Sequence, residues 1–431
     1  MANIGANDLL FLFLSFGGKA AVMTYTYTLG ENIRAEELKK AAASAVAAFP
    51  LYGLTPLIDL DGHIVMGRNE EELPVYPEDG RVVSLGSEDT GGYLFRITYR
   101  GSRISVTVSH ALGDGRGIMN FTITLLYHYL TNTGHDIDPQ GMVYTPEDAK
   151  DPDVTDSLID RLRSVAVLKG AEKASALEPF FAPEEKVYMG TPDTRRLVIS
   201  WEHADFKDKI MAEGATPVVF MHDLIAGAMV EHYGLRDELI SACVPVDMRD
   251  KLRSRAQTNF TVNIYLPVDT VFLQLPARER YRRLKEELDE RSGIERIAAS
   301  FEGLKPFLDM ISSMSINDRK ESDQAADIVK TSRPDRSYLL TNFGMMRMPE
   351  DVRRHILDVD VCLTDLEATP VYMMLTFDHK GMLLIGQNYE ETGIAERISA
   401  KLREAGIANT LEDRGLVRQD DVDILRFRNI K

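Results

Sequence analysis

Apolar residues Ile104, Val106 and Val108 alternate with Ser105, Thr107 and Ser109, the period-two pattern of a strand with one buried face. His110 shares the parity of the apolar set and is expected to point inward. The pattern breaks at Gly113, Asp114, Gly115 and Gly117, after which Ile118, Phe121, Leu125 and Tyr129 recur on one face of a helix predicted over 117–130. An imidazole is thus expected where a strand gives way to a helix. Similar patterns predict strands over 19–29, 93–99, 196–201, 239–246, 260–268 and 337–342. Hairpins are predicted at Asp59–Gly62 and around His379–Gly381. Leu38, Ala41, Ala42 and Val46 mark a helix over 33–48, closed by Pro50. Thr216 as N-cap, Pro217 at the first helical position and Gly234 past the end frame another helix. Asp205 is expected to cap a short helix, helices fill most of 276–331, and a last one covers 394–405. The apolar run Leu9–Leu14 reads as a buried strand near the N-terminus.

Residues 132–196 are rich in Asp, Pro and Gly, with one helical piece near 154–168, and read as a crossover. Strands and helices mix without a regular βαβ rhythm, which points to two layered α/β lobes, divided as 1–180 and 181–431. The length of 431 residues fits two such units, and 44% hydrophobic residues suffice for their cores. The net charge of −17 argues against nucleic acid as a partner and weakens attraction to an anionic bilayer. Two cysteines, Cys243 and Cys362, make neither a disulfide framework nor a zinc ribbon. The run Leu9–Leu14 is too short to span a membrane and no basic region precedes it, so no membrane span and a cytoplasmic location are expected.

The segment His110-Ala-Leu-Gly-Asp114-Gly115 is an H-x-x-x-D-G motif placed between a strand and a helix. It resembles the signature of the chloramphenicol-acetyltransferase-like acyltransferases, which include the condensation domains of nonribosomal peptide synthetases and the alcohol acetyltransferases. Ala47-Ala-Phe-Pro50-Leu, Val244-Pro-Val-Asp-Met-Arg249 with Thr258-Asn259-Phe260, and Thr341-Asn342-Phe343-Gly344 resemble further family segments in the same order. Ser109 stands where many members carry a second histidine, and the plant-type Asp-Phe-Gly-Trp-Gly is absent, which points away from the plant branch. The resemblance implies an α/β (α+β) fold of two chloramphenicol-acetyltransferase-like lobes, each a mixed sheet with helices, meeting at a central cleft or tunnel. It also implies acyl transfer from a thioester to an alcohol or amine.

For that chemistry a neutral imidazole suits the role of general base, since its ordinary pKa lies near working pH. His110 is the candidate, acting without an acyl-enzyme; the alternative is a core histidine with its hydrogen bonds satisfied. The oxyanion needs a donor, for which Asn342, backbone N–H groups near Gly113–Gly115 and Ser109 are candidates. Asp114 either orients His110, caps the following helix, or, as the resemblance implies, pairs with an arginine, for which Arg249 is the candidate. Gly115 is expected to provide a positive φ or a close approach to ligand, and Asn259 either lies near the channel or merely starts a strand. His222 and His232 read as packing or surface residues, and His128, on the helix after the motif, has no obvious partner in the sequence. Arg253, Arg255, Arg347, Arg353 and Arg354 either meet the phosphates of a pantetheine thioester or form solvated surface. No metal-binding motif, phosphate loop or Gly-x-Ser-x-Gly elbow occurs. Neither a metal nor a tightly bound cofactor is therefore expected. The expected co-substrate is acyl-CoA or a phosphopantetheine thioester, the expected partners a small-molecule acceptor and, in the alternative reading of a condensation-type enzyme, a carrier protein that bears the acyl donor. A catalytically inactive ligand-binding member is the remaining alternative.

Overall fold

The computed structural model describes residues 6–14, 21–165, 181–183, 193–315, 336–363, 369–422 and 428–429. The chain opens on a helix, α1 (Ala6–Leu14), where the pattern reading expects a strand. A short apolar run does not distinguish a buried strand from a buried helix. Asp8, Leu9, Leu12 and Phe13 are the buried positions, which is helical spacing.

A five-stranded sheet follows. β1 (Val22–Leu29), β6 (Phe95–Arg100) and β7 (Arg103–Ser109) lie side by side with the short β4 (Val75–Pro77) at one edge. The apolar parity of β1 faces helix α3 (Gly115–Asn132), where Tyr25 donates to the carbonyl of Gly115 and the Tyr27 hydroxyl lies 2.6 Å from that of Thr122. The other parity lines up Thr24 with Thr107 and Thr26 with Ser105 as cross-strand hydroxyl pairs. Helix α2 (Ala35–Ala48) packs on α3 through its small residues Ala41, Ala42 and Ala45. The hairpin β2 (Leu54–Ile58) and β3 (Ile64–Arg68), and β5 (Ser84–Leu85), lie outside this sheet.

The second sheet has seven strands in the order β10-β9-β11-β13-β14-β8-β15. These are β8 (Asp193–Glu202), β9 (Ile240–Asp247), β10 (Thr261–Val268), β11 (Tyr338–Met345), β13 (Val371–Phe377), β14 (Lys380–Gln387) and β15 (Asn409–Arg418). β11 runs parallel to both neighbours and the other pairs are antiparallel. β13 is buried at every position because both faces are covered. Met373, Leu375, Met382 and Leu384 face the core shared with the first sheet. Tyr372, Met374, Leu383 and Ile385 face the core containing α6 (Pro217–Tyr233) and α11 (Gly393–Glu404).

Thr216 caps α6 by accepting from the N–H of Val219, Pro217 opens it and Gly234 ends it at φ +65°. Helix α5 (His203–Glu213) differs from expectation: it starts before Asp205, which lies inside the first turn and does not cap it. Helix α4 (Leu158–Arg163) is shorter than the piece expected there, α7 (Arg249–Leu252) is a single turn, and α8 (Ala277–Arg291) and α9 (Ile294–Ser313) fill part of 276–331, of which 316–331 lie outside the described residues. Strand β12 (Ile356–Leu363), which follows the short α10 (Glu350–Arg354), is absent from the pattern reading. Its Val359, Val361 and Leu363 alternate with Asp358 and Asp360 and pair with β1. The first sheet therefore takes an edge strand from the far half of the chain. Farther on, β16 (Asp421–Val422) pairs with β5 and β17 (Arg428–Asn429) with β2, while Asp420 forms an ion pair with Arg96 at 2.6 Å.

Candidate active site

His110 follows the last residue of β7 and opens a tight turn, His110–Leu112, before α3 begins. The Ser109 hydroxyl is buried and accepts from the N–H of Ala111, so it shapes this turn. The turn leaves the imidazole half-buried. Its Nδ1 lies 2.8 Å from Oδ1 of Asn259, and the amide nitrogen of Asn259 donates back to the His110 carbonyl at 2.7 Å. Asn259 stands just before β10, so the ring of one sheet is held by a side chain of the other. The same amide nitrogen donates to Oδ1 of Asp8 at 2.7 Å, and the Asn259 backbone N–H donates to that oxygen at 3.0 Å.

These contacts determine a tautomer. The Asn259 amide nitrogen faces two oxygen acceptors, so its carbonyl oxygen must face the imidazole. An oxygen at that position accepts, so Nδ1 carries the hydrogen and the lone pair resides on Nε2. Phe11 lies against the ring with centroids 4.3 Å apart and planes 18° apart. Burial pushes the Asp8 carboxyl up to about 7, against the two Asn259 donors, which pull it down.

Asp114 does a different job. Its side chain caps α3 by accepting from the N–H of Gly117, and both of its oxygens take guanidinium bonds from Arg249 at 2.9 Å. Oδ2 also accepts from the N–H of Phe260. The two weighed roles, cap and ion pair, coexist, while the orienting role does not: no bond runs from Asp114 to the imidazole. Arg249 is itself closed in by the carbonyls of Ala256 and Thr258 and the carboxylate of Asp247. Burial opposes its charge, but Asp114 and Asp247 beside it more than compensate and hold the guanidinium pKa above its ordinary range.

Gly115 has no positive φ. What it permits is contact with protein: a Cβ there would come within 2.3 Å of the Phe343 ring, which reaches over from β11. At Gly113 a Cβ would meet the carbonyl oxygen of Gln257 at 2.5 Å. Both glycines thus let the second lobe close against the start of α3. Asn342 does not join this cluster. It is exposed, and its Oδ1 accepts from the N–H of Gly344.

The remaining candidates lie elsewhere. Arg255 pairs with Asp148, Arg353 with Glu350 and Asp378, and Arg354 with Glu350 and Asp351. Arg253 and Arg347 are exposed and have no ion-pair partner among the described residues. His222 is a core residue bonded to the Tyr338 hydroxyl, pushed down to about 4 by burial, and His232 lies 3.2 Å from Glu391. His128 is half-buried, and burial lowers its pKa. Asp59, Asp61 and His63 cluster at the β2–β3 turn, where Asp59 already accepts from the backbone N–H groups of the other two. Among the described residues no helix is long and apolar enough to cross a membrane. Asp8 and Phe11 are the site residues that the sequence reading misses. The available signal was a lone carboxylate beside a strongly apolar run.

No family model matches this sequence, and no curated protein matches it. Solved structures do. Polyketide synthase associated protein 5 from Mycobacterium tuberculosis superposes with a TM-score of 0.59 at 15% identity, over 90% of this chain and 96% of that one. The nonribosomal peptide synthetase FmoA3 matches with a TM-score of 0.59 at 12% identity, over 94% of this chain and 42% of its own. TRI101 of F. sporotrichioides, solved with coenzyme A and T-2, matches with a TM-score of 0.55 at 10% identity, over 93% and 98%. The chain has the two-lobed chloramphenicol-acetyltransferase-like fold. In this fold the junction of β7 and α3, with His110 and the Asp114–Arg249 pair, sits where the two sheets approach each other.

Proposed function

We propose that this protein is an acyltransferase that moves an acyl group from a thioester, acyl-CoA in the first instance, to a hydroxyl or amine. The observation that carries the reading is the imidazole itself, half-buried and held across the two lobes by Asn259, whose contacts assign the lone pair of the neutral ring to Nε2. In the reaction Nε2 takes the proton of the acceptor as its oxygen or nitrogen bonds to the thioester carbonyl carbon. The tetrahedral intermediate then collapses, the carbon–sulfur bond breaks, and the departing thiolate takes the proton from the imidazolium. No bond to the protein forms. While the ring is positive, its Nδ1–H donates to the Asn259 carbonyl oxygen, which stabilises the charge without moving any group. Asp114 takes no part in proton transfer; it holds the lobes so that Asn259 reaches the ring.

Coenzyme A as donor is supported by TRI101, whose fold this chain shares and which was solved with that molecule. A donor carried on a protein is the second reading, favoured by the likeness to part of a nonribosomal peptide synthetase. Release of free thiol from short-chain acyl-CoA in the presence of mixed alcohols and amines tests the first. His110→Ala is expected to lower that rate by about 100- to 10,000-fold. Thiol release unaffected by His110→Ala would overturn the assignment of the base, and turnover only with an acyl-loaded carrier protein would move the donor to the second reading.

A further inference from the structure

Asp8 is a buried carboxylate in an otherwise apolar helix. It is 2% exposed, and among the described residues both of its hydrogen bonds come from Asn259, one from the backbone N–H and one from the side-chain amide, onto the same oxygen. Helix α1 holds it there firmly: Leu12 joins the main core of the first lobe, Leu9 and Phe13 pack with Met314, and Phe11 lies on the His110 ring. A carboxylate is costly to bury, and the other buried residues of α1, Leu9, Leu12 and Phe13, are apolar. What Asp8 does is occupy the amide end of Asn259.

An asparagine amide can turn end over end. Turned, its nitrogen would face Nδ1 of His110, and the imidazole would have to carry its hydrogen on Nε2, the wrong nitrogen for a base. The turned amide would also place its oxygen against two other oxygens, those of Asp8 and of the His110 carbonyl. With Asp8 removed, only one of those opposing oxygens remains. We propose that Asp8 is a positioning residue for the base: through the Asn259 amide it fixes the Nδ1–H tautomer of His110 and keeps the lone pair on Nε2. The consequence for turnover rests on the acyltransferase reading above, but the tautomer itself does not.

The test reads the tautomer directly. Nitrogen-15 NMR of the imidazoles, with His110 identified by the signal lost in His110→Ala, is recorded for the native protein and for Asp8→Leu, an apolar residue of similar shape suited to α1. Asp8→Ala serves if that variant does not fold. The native protein is expected to show Nδ1–H for His110, and the apolar variants a shift of population towards Nε2–H. Asp8→Asn, which can still present an acceptor oxygen, is expected to restore the native signal. In the acyl-transfer assay Asp8→Leu should lower kcat by about tenfold with little change in KM, and should cost nothing further in an Asn259→Ala background. A native Nε2–H tautomer, or a signal unmoved by loss of Asp8, overturns the proposal. A native protein with the expected tautomers but no acyl transfer from any thioester would instead overturn the proposed function.

Discussion

Two carboxylates, Asp8 and Asp114, are both 2% exposed, and both reach from the first lobe to the same short segment of the second, Thr258–Phe260. Asp114 meets a guanidinium and two backbone N–H groups, whereas Asp8 meets, among the described residues, the backbone N–H and side-chain amide of Asn259 and no cation. The first pairing neutralises charge and fixes the distance between lobes. The second carries no opposite charge and leaves a carboxyl whose charge burial disfavours. A buried acid can thus clamp a fold or orient a neighbour, and its partners decide which.

The sharpest way to break this contrast is to remove one member of the clamp. Arg249→Ala strands the Asp114 carboxylate inside the protein and is expected to cost about 3–5 kcal/mol of stability, read from the midpoint of urea unfolding. Losing the orienting acid should cost much less, because Asp8→Leu exchanges a poorly accommodated carboxyl for an apolar side chain. If Asp8→Leu destabilises the protein as much as Arg249→Ala, the two carboxylates do the same work and the contrast fails.

A pH series sharpens the same comparison. The Asp8 carboxyl titrates near 7 in the folded chain against 3.8 as its ordinary value. Between those values the unfolded chain has released a proton that the folded chain still holds. The contribution of Asp8 to stability is therefore fully present below about 3.8 and is lost as pH rises through about 7, with a slope of at most about 1.4 kcal/mol per pH unit. Subtracting the stability curve of Asp8→Asn isolates this effect. The native protein should lose stability relative to the variant as pH rises from 4 to 7, with the difference level above that. A difference that grew in the opposite sense would mean that the carboxyl is held charged, as a clamp would hold it.

The same pair shows what could be read from sequence. Asp114 was legible because its surroundings are local: a strand of clear parity, a break at glycines, and a helix whose first turn needs a cap. Its partner Arg249 was reached through a resemblance, not from the pattern. The Thr216–Pro217 start of α6 was readable for the same local reason. Asp8 was not, because its meaning depends on Asn259, far away in the chain, and because Leu9–Leu14 is too short for its period to separate helix from strand. β12 escaped the pattern reading although its residues alternate, and its pairing with β1 is a long-range contact that neither segment encodes alone. Asn342 failed in the opposite way: the motif around it fits, yet its side chain turns to Gly344 and solvent.

The smallest effect tests whether α1 does more than carry Asp8. Phe11 covers one face of His110, and an aromatic contact of this kind contributes about 0.5–1.5 kcal/mol beyond the area it buries. Phe11→Leu keeps most of the apolar volume and loses the ring. If α1 acts on the base only through Asn259, this variant should lose at most that much stability, measured by urea unfolding, and leave the His110 tautomer as it was, because nothing in a ring stack distinguishes Nδ1 from Nε2. A tautomer that shifted in Phe11→Leu while Asp8 remained in place would mean that the whole helix, and not the carboxylate, sets the imidazole, and the division of labour between the two acids would have to be redrawn around α1.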